Sequence, residues 1–293
     1  MSPNTDAARP DPMGGPILAV TKARYVYPRG NVVALEEISL DVPAGQSLGI
    51  VGQNGSGKTT LTKLMNGLLR PASGSVVVDG MDTAKYPVQA MAAHVGYVFQ
   101  NPNHQLFAPT VADELAFGPR NLGVSEEGIA ERVAEATEFF SLQEVLKLHP
   151  YRISFPLRKL VGIASIFTMR PKVFILDEPT TGQDHRTTST INRLIHRLRD
   201  RGSTVICVAH DMPLLADVSE RLIVIWNGQL IADGTPREVF SDREVMTRTH
   251  LAPPQITQFS MQLPGRAGRP PALSLAELVA EYRNPDRAAA QEA

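Results

Sequence analysis

The stretch Gly52-Gln-Asn-Gly-Ser-Gly-Lys58-Thr59 has the pattern G-x-x-x-x-G-K-[ST], and it follows the apolar run Gly49-Ile-Val51. This pattern is typical of a loop that holds nucleotide phosphates between a strand and a helix. Its backbone N–H groups face the α- and β-phosphates, Lys58 reaches the β- and γ-phosphate oxygens, and the Thr59 hydroxyl ligates Mg²⁺. An ordinary glycine-rich turn is the alternative, and the flanking strand and helix patterns disfavour it. The predicted nucleotide contacts are Gly52, Asn54, Gly55, Ser56, Gly57, Lys58, Thr59 and Thr60.

Composition narrows the class of protein. The 293 residues carry a formal net charge of −1, so no overall positive field favours nucleic acid, and we predict no nucleic acid partner. The one cysteine, Cys207, lies in an apolar run and is interpreted as a buried thiol of a reducing compartment. No apolar run approaches the roughly 18 residues of a membrane span, and no signal pattern begins the chain. We expect a cytosolic protein, and its composition leaves docking on a membrane protein open.

Three parts are predicted along the chain. Residues 1–15 form a disordered tail because prolines, glycines and polar residues dominate it. Residues 16–250 form the main domain, and residues 251–293 form a loose extension rich in Pro, Gly and Ala. Within the extension, Leu273 to Tyr282 has the spacing of a short helix, and Ser274 is placed to cap it.

Strand and helix patterns alternate in the main domain, as a parallel sheet requires. A helix is predicted at Glu126–Leu148, and the helix-rich stretch at about 101–170 is interpreted as a subdomain. The predicted strands are Ile17–Tyr27, Gly49–Val51, Ser75–Asp79, His94–Phe99, Lys172–Leu176, Thr204–Ala209 and Arg221–Ile225.

Two adjacent carboxylates, Asp177 and Glu178, follow a buried strand at its carboxyl end, where such sheets place their ligands. We predict that Asp177 holds the Mg²⁺ shell through water and that Glu178 polarises an attacking water. A pair of surface carboxylates is the alternative, and the phosphate loop upstream disfavours it.

With these motifs, the chain resembles the ABC-type ATPases from about Ile17 to Asp242. The resemblance implies an α/β fold: a P-loop ATPase with a RecA-like parallel-sheet core, an antiparallel β subdomain and a helical subdomain. It also implies that Tyr27 stacks on adenine, that Gln100 contacts Mg²⁺ and water, and that His210 contacts the γ-phosphate. The alternatives are a packing tyrosine, a loop amide and a structural histidine.

Three segments are similar to the ATPases of energy-coupling-factor importers, the group serving vitamins, cobalt and nickel. This resemblance implies an ATPase pair on the cytoplasmic face of the membrane, bound to a transmembrane coupling subunit and a substrate-binding membrane protein. Residues 101–123 would contact the coupling subunit. The segments are Phe99-Gln-Asn-Pro-Asn-His-Gln-Leu-Phe107, Thr110-Val-Ala-Asp-Glu-Leu-Ala-Phe-Gly-Pro-Arg-Asn-Leu-Gly123 and, less specifically, Asp233-Gly-Thr-Pro-Arg-Glu-Val-Phe-Ser-Asp242.

The chain departs from the family at the signature LSGGQ, where it reads Ile153-Ser154-Phe155-Pro156-Leu157. In the family this loop offers a serine, glycine N–H groups and a helix N-terminus to the γ-phosphate held by the partner ATPase. Phe155 blocks backbone approach, Pro156 has no N–H, and Leu157 cannot form hydrogen bonds. Arg158 is interpreted as a solvated arginine, with a phosphate-reaching cation as the alternative. Gln183 likewise stands where the family has an apolar residue.

The sequence therefore predicts an ATP- and Mg²⁺-binding motor subunit whose own catalytic residues are intact and whose signature is degenerate. The catalytic residues would be Lys58, Gln100, Glu178 and His210, with Thr59, Gln100 and Asp177 at the metal. A second ATPase with an intact signature is the expected partner. The alternative is a non-hydrolytic regulatory half that binds ATP only to close the dimer. A soluble ABC protein of translation or DNA repair fits less well, because that class has tandem cassettes or a long coiled coil.

Overall fold

The computed structural model describes residues 15–264, 266 and 269–283. The predicted tail at 1–15, except for Gly15, and the end of the extension at 284–293 lie outside the described residues. Within the described residues, ten strands form two sheets and eleven α-helices surround them.

The strands are β1 (Leu18–Tyr27), β2 (Val32–Val42), β3 (Ser47–Val51), β4 (Ser73–Val78), β5 (Met81–Asp82), β6 (Val95–Val98), β7 (Val173–Asp177), β8 (Thr204–Val208), β9 (Arg221–Trp226) and β10 (Gln229–Gly234). The helices are α1 (Lys58–Met65), α2 (Val88–Met91), α3 (Val111–Asn121), α4 (Glu126–Phe140), α5 (Phe155–Phe167), α6 (His185–Asp200), α7 (Met212–Val218), α8 (Pro236–Ser241), α9 (Arg243–Thr249), α10 (Gln255–Gln262) and α11 (Leu275–Arg283). Three 3₁₀ turns lie at Pro102–His104, Gln143–Val145 and Pro150–Arg152.

The larger sheet has the strand order β10-β9-β3-β8-β7-β6, and its neighbours are parallel except for the β10–β9 pair. Every residue of β3, β7 and β8 is buried, as expected for strands covered on both faces. The smaller sheet is antiparallel, in the order β2-β1-β4-β5. The α/β fold class with a parallel core and an antiparallel β part is confirmed. The sequence did not predict β2, β5 or β10.

Two hydrophobic clusters lie on opposite faces of the larger sheet, and the alternation of side chains along each strand divides them. In β7, Phe174 and Leu176 belong to the cluster that includes α3, α4, α5 and α6. Val173 and Ile175 belong to the cluster that includes α1 and the antiparallel sheet. The larger sheet is therefore the layer that holds both halves of the domain in fixed positions.

The helical part of the domain is attached to α6 by a cluster of charged and aromatic side chains. Glu135 of α4 accepts hydrogen bonds from Arg197 of α6, from Arg201 directly after α6 and from Arg170. The Arg197 guanidinium also lies 5.0 Å from the ring centroid of Phe139. These contacts fix α4 against α6, and the arginines hold the pKa of the Glu135 carboxyl below its usual value although burial acts to raise it.

The predicted helix at Glu126–Leu148 is wrong beyond its first fifteen residues. Helix α4 ends at Phe140, because Ser141 adopts the left-handed conformation with φ of 55°. The apolar periodicity continues past this residue because Leu142 is buried and Val145 packs against the core, but the backbone there forms a 3₁₀ turn. The spacing of apolar side chains alone did not indicate that the helix ends at Phe140.

The extension is not loose where the structure describes it, and it contains a second helix that was not predicted. Arg237 of α8 donates hydrogen bonds to Glu277 of α11 and to the carbonyl of Pro271. Ala272 is fully buried, and its N–H donates to Ser260 Oγ of α10 at 3.0 Å. The short helix expected near 273–282 is present as α11.

The buried thiol predicted at Cys207 is present in the structure. Cys207 is buried in β8 without a disulfide partner, and burial raises the pKa of its thiol. None of the helices that the structure describes has both the length and the apolar character needed to span a bilayer.

Gly74 and Gly80 have similar backbone conformations but differ in how closely the antiparallel sheet packs around them. Gly74 and Gly80 have φ of +78° and +77°, but a Cβ on Gly74 would lie 2.2 Å from the carbonyl oxygen of Lys22, whereas a Cβ on Gly80 would meet nothing within 4 Å. We predict that Gly80→Ala lowers the free energy of unfolding by about 1–2 kcal/mol, the cost of a left-handed alanine. Gly74→Ala should cost at least about 3 kcal/mol, because the backbone must also move. Urea unfolding of both variants measures the difference, and equal losses would contradict the predicted contact.

Candidate nucleotide site

The phosphate loop is closed in by its neighbours on both sides. It connects Val51, the last residue of β3, to Lys58, the first residue of α1. A Cβ on Gly52 would lie 2.2 Å from the carbonyl oxygen of Ile225, and one on Gly57 would lie 2.6 Å from that of Ala34. Both positions have positive φ, so only glycine fits there and the backbone amides stay open to a ligand.

The donor groups of the loop point into its concave side. Lys58 is 6% exposed, and its Nζ donates to the carbonyl oxygens of Gly52 and Gln53 at 2.8 Å. Burial lowers the pKa of Lys58, while the carboxylates of Glu178 and Asp177 act to raise it. The buried Ser56 hydroxyl has no hydrogen-bond partner among the described residues. An unsatisfied hydroxyl and a buried ammonium in the same loop fit the binding of phosphate oxygens.

Two of the three predicted metal ligands, Thr59 and Asp177, lie together beside this loop. Thr59 Oγ1 donates to Asp177 Oδ1 and Oδ2 at 3.3 and 3.2 Å. Tyr97 OH donates to Asp177 Oδ2 at 2.8 Å, and burial raises the pKa of Tyr97, so the phenol keeps its proton. The described residues contain no cluster of three or more His, Cys, Asp or Glu that could hold a metal. The hydroxyl and carboxylate oxygens of Thr59 and Asp177 fit Mg²⁺, which takes few protein oxygens and completes its shell with phosphate and water.

Glu178 joins the phosphate loop to His210. Its carboxylate is nearly buried, and its Oε1 lies 3.3 Å from His210 Nε2, which is also 3.0 Å from Asn54 Oδ1. Both neighbours of this nitrogen are acceptor oxygens, so Nε2 carries the proton. Glu178 Oε2 accepts hydrogen bonds from Thr181 Oγ1 at 3.1 Å and from the backbone N–H of His210 at 3.4 Å. Carboxylate, imidazole and loop thus form one connected group, with the charged partners needed to orient a water beside a phosphate.

Tyr27 and Gln100 lie at the edge of this group. Tyr27 is 37% exposed, its OH is 3.0 Å from Thr60 Oγ1, and its ring packs edge-on against Tyr25. The Gln100 side chain is exposed and makes no hydrogen bond to any described residue, while its carbonyl accepts from Lys159. The structure therefore brings Lys58, Asp177, Glu178 and His210 together but does not join the Gln100 amide to them.

The segment at the predicted signature begins helix α5. Phe155 is 41% exposed, Pro156 lies in the first turn, and Leu157 packs against the larger core cluster. Ser154 occupies the N-cap position, but its side chain makes no capping hydrogen bond. The helix therefore forms as predicted, although without the serine cap.

The expectation of a solvated Arg158 is wrong. Its Nη1 donates to Asn103 Oδ1 at 2.7 Å, and its Nη2 donates to the carbonyl oxygen of Ile153 at 3.1 Å. The guanidinium also lies 4.9 Å from the ring centroid of Tyr151. These bonds hold Arg158 against its own subdomain, so it is not oriented as a phosphate ligand of a neighbouring ATPase.

Two residues of the site were missed from the sequence. Tyr97 carries a hydroxyl within a buried strand. Lys159, next to Arg158, stands four residues before the buried Ile163 on the core-facing side of α5. Both interrupt an apolar pattern, and this interruption is the signal that was available. Their partners, Asp177 and two backbone carbonyls, lie far away in sequence, so the pattern did not show what they contact.

The comparisons with known proteins agree with this geometry. The model of the ABC transporter family matches residues 35–181. The chain belongs to the ABC transporter family. An energy-coupling factor transporter ATP-binding protein, EcfA, of Methanothermobacter thermautotrophicus is 42% identical over 233 residues, covering 79% of this chain and 75% of the relative. The predicted kinship with energy-coupling-factor ATPases is therefore confirmed, and the nucleotide of this ABC ATPase is ATP.

Two further matches bear on the extent of the similarity. A protein of Caldanaerobacter subterraneus whose name describes an ABC transporter ATP-binding protein is 42% identical over 250 residues. That match covers 85% of this chain, and the chain spans 44% of the relative's length. The solved structure of cbiO1 from Clostridium perfringens, described as part of the ABC transporter complex cbiONQ, is 32% identical, with a TM-score of 0.70. The match covers 85% of this ABC ATPase and the whole of the solved chain.

The role of Tyr27 in this ABC ATPase yields a prediction. Because the ring is partly exposed beside the phosphate loop, Tyr27→Ala should weaken ATP binding by about 1–3 kcal/mol, the usual contribution of base–aromatic stacking, and reduce the preference for purines. Tyr27→Phe keeps the ring and loses only the contact with Thr60, so its affinity should stay close to that of the parent. Titration with a fluorescent ATP analogue measures both. An unchanged affinity in the alanine variant would exclude stacking.

Proposed function

We propose that this chain is an ATP-hydrolysing motor subunit of an energy-coupling-factor-type importer, at the cytoplasmic face of a membrane. The observation that carries the proposal is the contact of Glu178 with His210, and of His210 with Asn54, beside the buried Lys58. This arrangement supports hydrolysis because a carboxylate and an imidazole would lie next to the γ-phosphate of a nucleotide bound in the loop.

The residues divide the chemistry among them. Lys58 and the loop amides bind the phosphates and stabilise their developing charge, and Thr59 with Asp177 would hold Mg²⁺. Mg²⁺, when bound, neutralises charge on the β- and γ-phosphate oxygens. Glu178 polarises the attacking water, and His210 donates its Nε2 proton in a hydrogen bond to the γ-phosphate. Tyr27 holds the adenine.

An exposed aromatic pair supports docking on a membrane subunit. Phe107 and Phe117 are 61% and 44% exposed, and their rings meet edge to face at 4.7 Å. The buried Glu114 accepts hydrogen bonds from the Phe107 and Ala108 N–H groups, which fixes this turn. We assign the surface at 101–123 to the transmembrane coupling subunit. A separate substrate-binding membrane protein would select the vitamin or transition-metal ion.

The degenerate signature supports a mixed pair of ATPases. In a head-to-tail dimer, each ATP lies between one subunit's phosphate loop and the other's signature. Phe155, Pro156 and Leu157 remove hydrogen-bond donors from the site of the partner. This chain's own site would therefore depend on a partner ATPase with an intact signature, and the complex would have one efficient site.

The water-polarising role of Glu178 distinguishes this proposal from a regulatory half that only binds ATP. In the transporter complex that co-purifies with this chain, Glu178→Gln should lower hydrolysis by two or more orders of magnitude while ATP still binds, because it removes the charge and keeps the size. The exposed Glu144 supplies a matched control, and Glu144→Gln should leave the rate unchanged. Near-normal turnover in the Glu178 variant would instead favour the regulatory alternative.

The mixed-pair arrangement predicts slow hydrolysis by the isolated chain. Replacing Phe155-Pro156-Leu157 with Gly-Gly-Gln should raise that rate at least about tenfold, since one restored charge-assisted hydrogen bond contributes about 1.5–3 kcal/mol. Steady-state ATPase assays of the isolated parent, the isolated variant and the full complex make the comparison. If the isolated parent is as fast as the complex, the mixed pair is not required.

A further inference from the structure

Lys159 is a buried cation whose partners are neutral. It lies in the second turn of α5 and is 1% exposed, among apolar neighbours such as Leu160 and Val161. Its Nζ donates to the carbonyl oxygen of Gln100 at 2.7 Å and to that of Glu178 at 2.5 Å. These two carbonyls are its hydrogen-bond partners in the part of the chain that the structure describes.

A lysine at this position is costly for stability. Burial lowers the pKa of Lys159 to about 8, although the carboxylates of Glu178 and Asp177 act to raise it. At neutral pH the side chain therefore stays protonated, and its charge is desolvated without an ion-pair partner of its own. An apolar residue of similar length would pack into the same space without this cost, so packing does not explain the lysine.

The two carbonyls belong to the loops that follow neighbouring strands of the sheet. Gln100 follows β6 and Glu178 follows β7. Glu178 has φ of 50°, a backbone conformation that residues other than glycine rarely adopt. Its backbone N–H donates to the carbonyl oxygen of Val208 at 2.8 Å. The Glu178 backbone is thus held on both sides: its N–H donates to β8, and its carbonyl oxygen accepts from Lys159.

We propose that Lys159 is a positioning residue: by binding both carbonyls, it fixes the Gln100 loop and the Glu178 carboxylate relative to each other and to the start of α5. The inference rests on the proposed hydrolytic function of Glu178. The proposal adds a physical link between α5, the helix that begins at the signature segment, and this chain's own catalytic loops. The Lys159 ammonium group forms that link, because it belongs to α5 and donates to both loops.

Amide hydrogen exchange on the isolated full-length chain tests the link without relying on turnover. In Lys159→Met, which keeps length and burial but removes the donors, exchange at 100–105 and 178–183 should accelerate about tenfold or more, while the phosphate loop and strand β3 change little. Lys159→Gln keeps one amide donor and should fall between the parent and the methionine variant. Lys147→Met makes the same change at an exposed position of the helical part and serves as the control.

ATP titration and hydrolysis by the co-purified complex complete the test. In Lys159→Met, kcat should fall about tenfold or more while the affinity of the isolated chain for ATP stays within about twofold. If exchange accelerates equally in every segment, Lys159 supports only general stability and the proposal is wrong. Unchanged exchange at both loops also overturns it. If the parent chain does not bind ATP, the proposed function fails instead, and the exchange result stands on its own.

Discussion

The register of three parallel strands determines where the phosphate loop, Glu178 and His210 lie. Ile50 of β3 and Asp177 of β7 both pair with Val208 of β8. The phosphate loop, Glu178 and His210 therefore leave the sheet at the same level and on the same edge. A shift of one residue in β8 would exchange its inward and outward side chains and separate His210 from Asn54. The buried apolar faces of β7 and β8 thus set the positions of Glu178 and His210 as well as stabilise the fold.

The electrostatics of the site follow from this convergence. Lys58, Asp177 and Glu178 are at most 6% exposed, so each has lost most of its hydration. Each charge has local partners: Lys58 has two loop carbonyls, Asp177 has Thr59 and Tyr97, and Glu178 Oε2 has Thr181 and the His210 backbone N–H, while Glu178 Oε1 has no hydrogen-bond partner among the described residues. Buried charges with such partners are held in fixed positions. A site with charges already in place has little reorganisation left to do when phosphate charge develops.

The sequence predicted those features that depend on local patterns. Continuous apolar runs identified β7 and β8, and the glycine pattern identified the loop and the start of α1. Predictions failed where distant contacts or single backbone torsions decide the outcome. Ser141 ends α4 within an apolar repeat, Arg158 is bound to Asn103, and Arg237 anchors the extension. Tyr97 and Lys159 belong to the same class, because their partners lie on elements remote in sequence.

Helix α5 explains how a signature can degenerate while the catalytic face stays intact. Its stability comes from buried residues such as Leu160, Val161 and Ile163, none of which belongs to the segment that would contact a partner's nucleotide. Phe155 and Pro156 lie in the first turn, where a missing N–H leaves no helical hydrogen bond unmade. Substitutions there change what the helix offers to another subunit without unfolding it. Two turns of one helix thus differ in role: the first would contact a partner ATPase, whereas the second carries Lys159, which is buried against this chain's own loops.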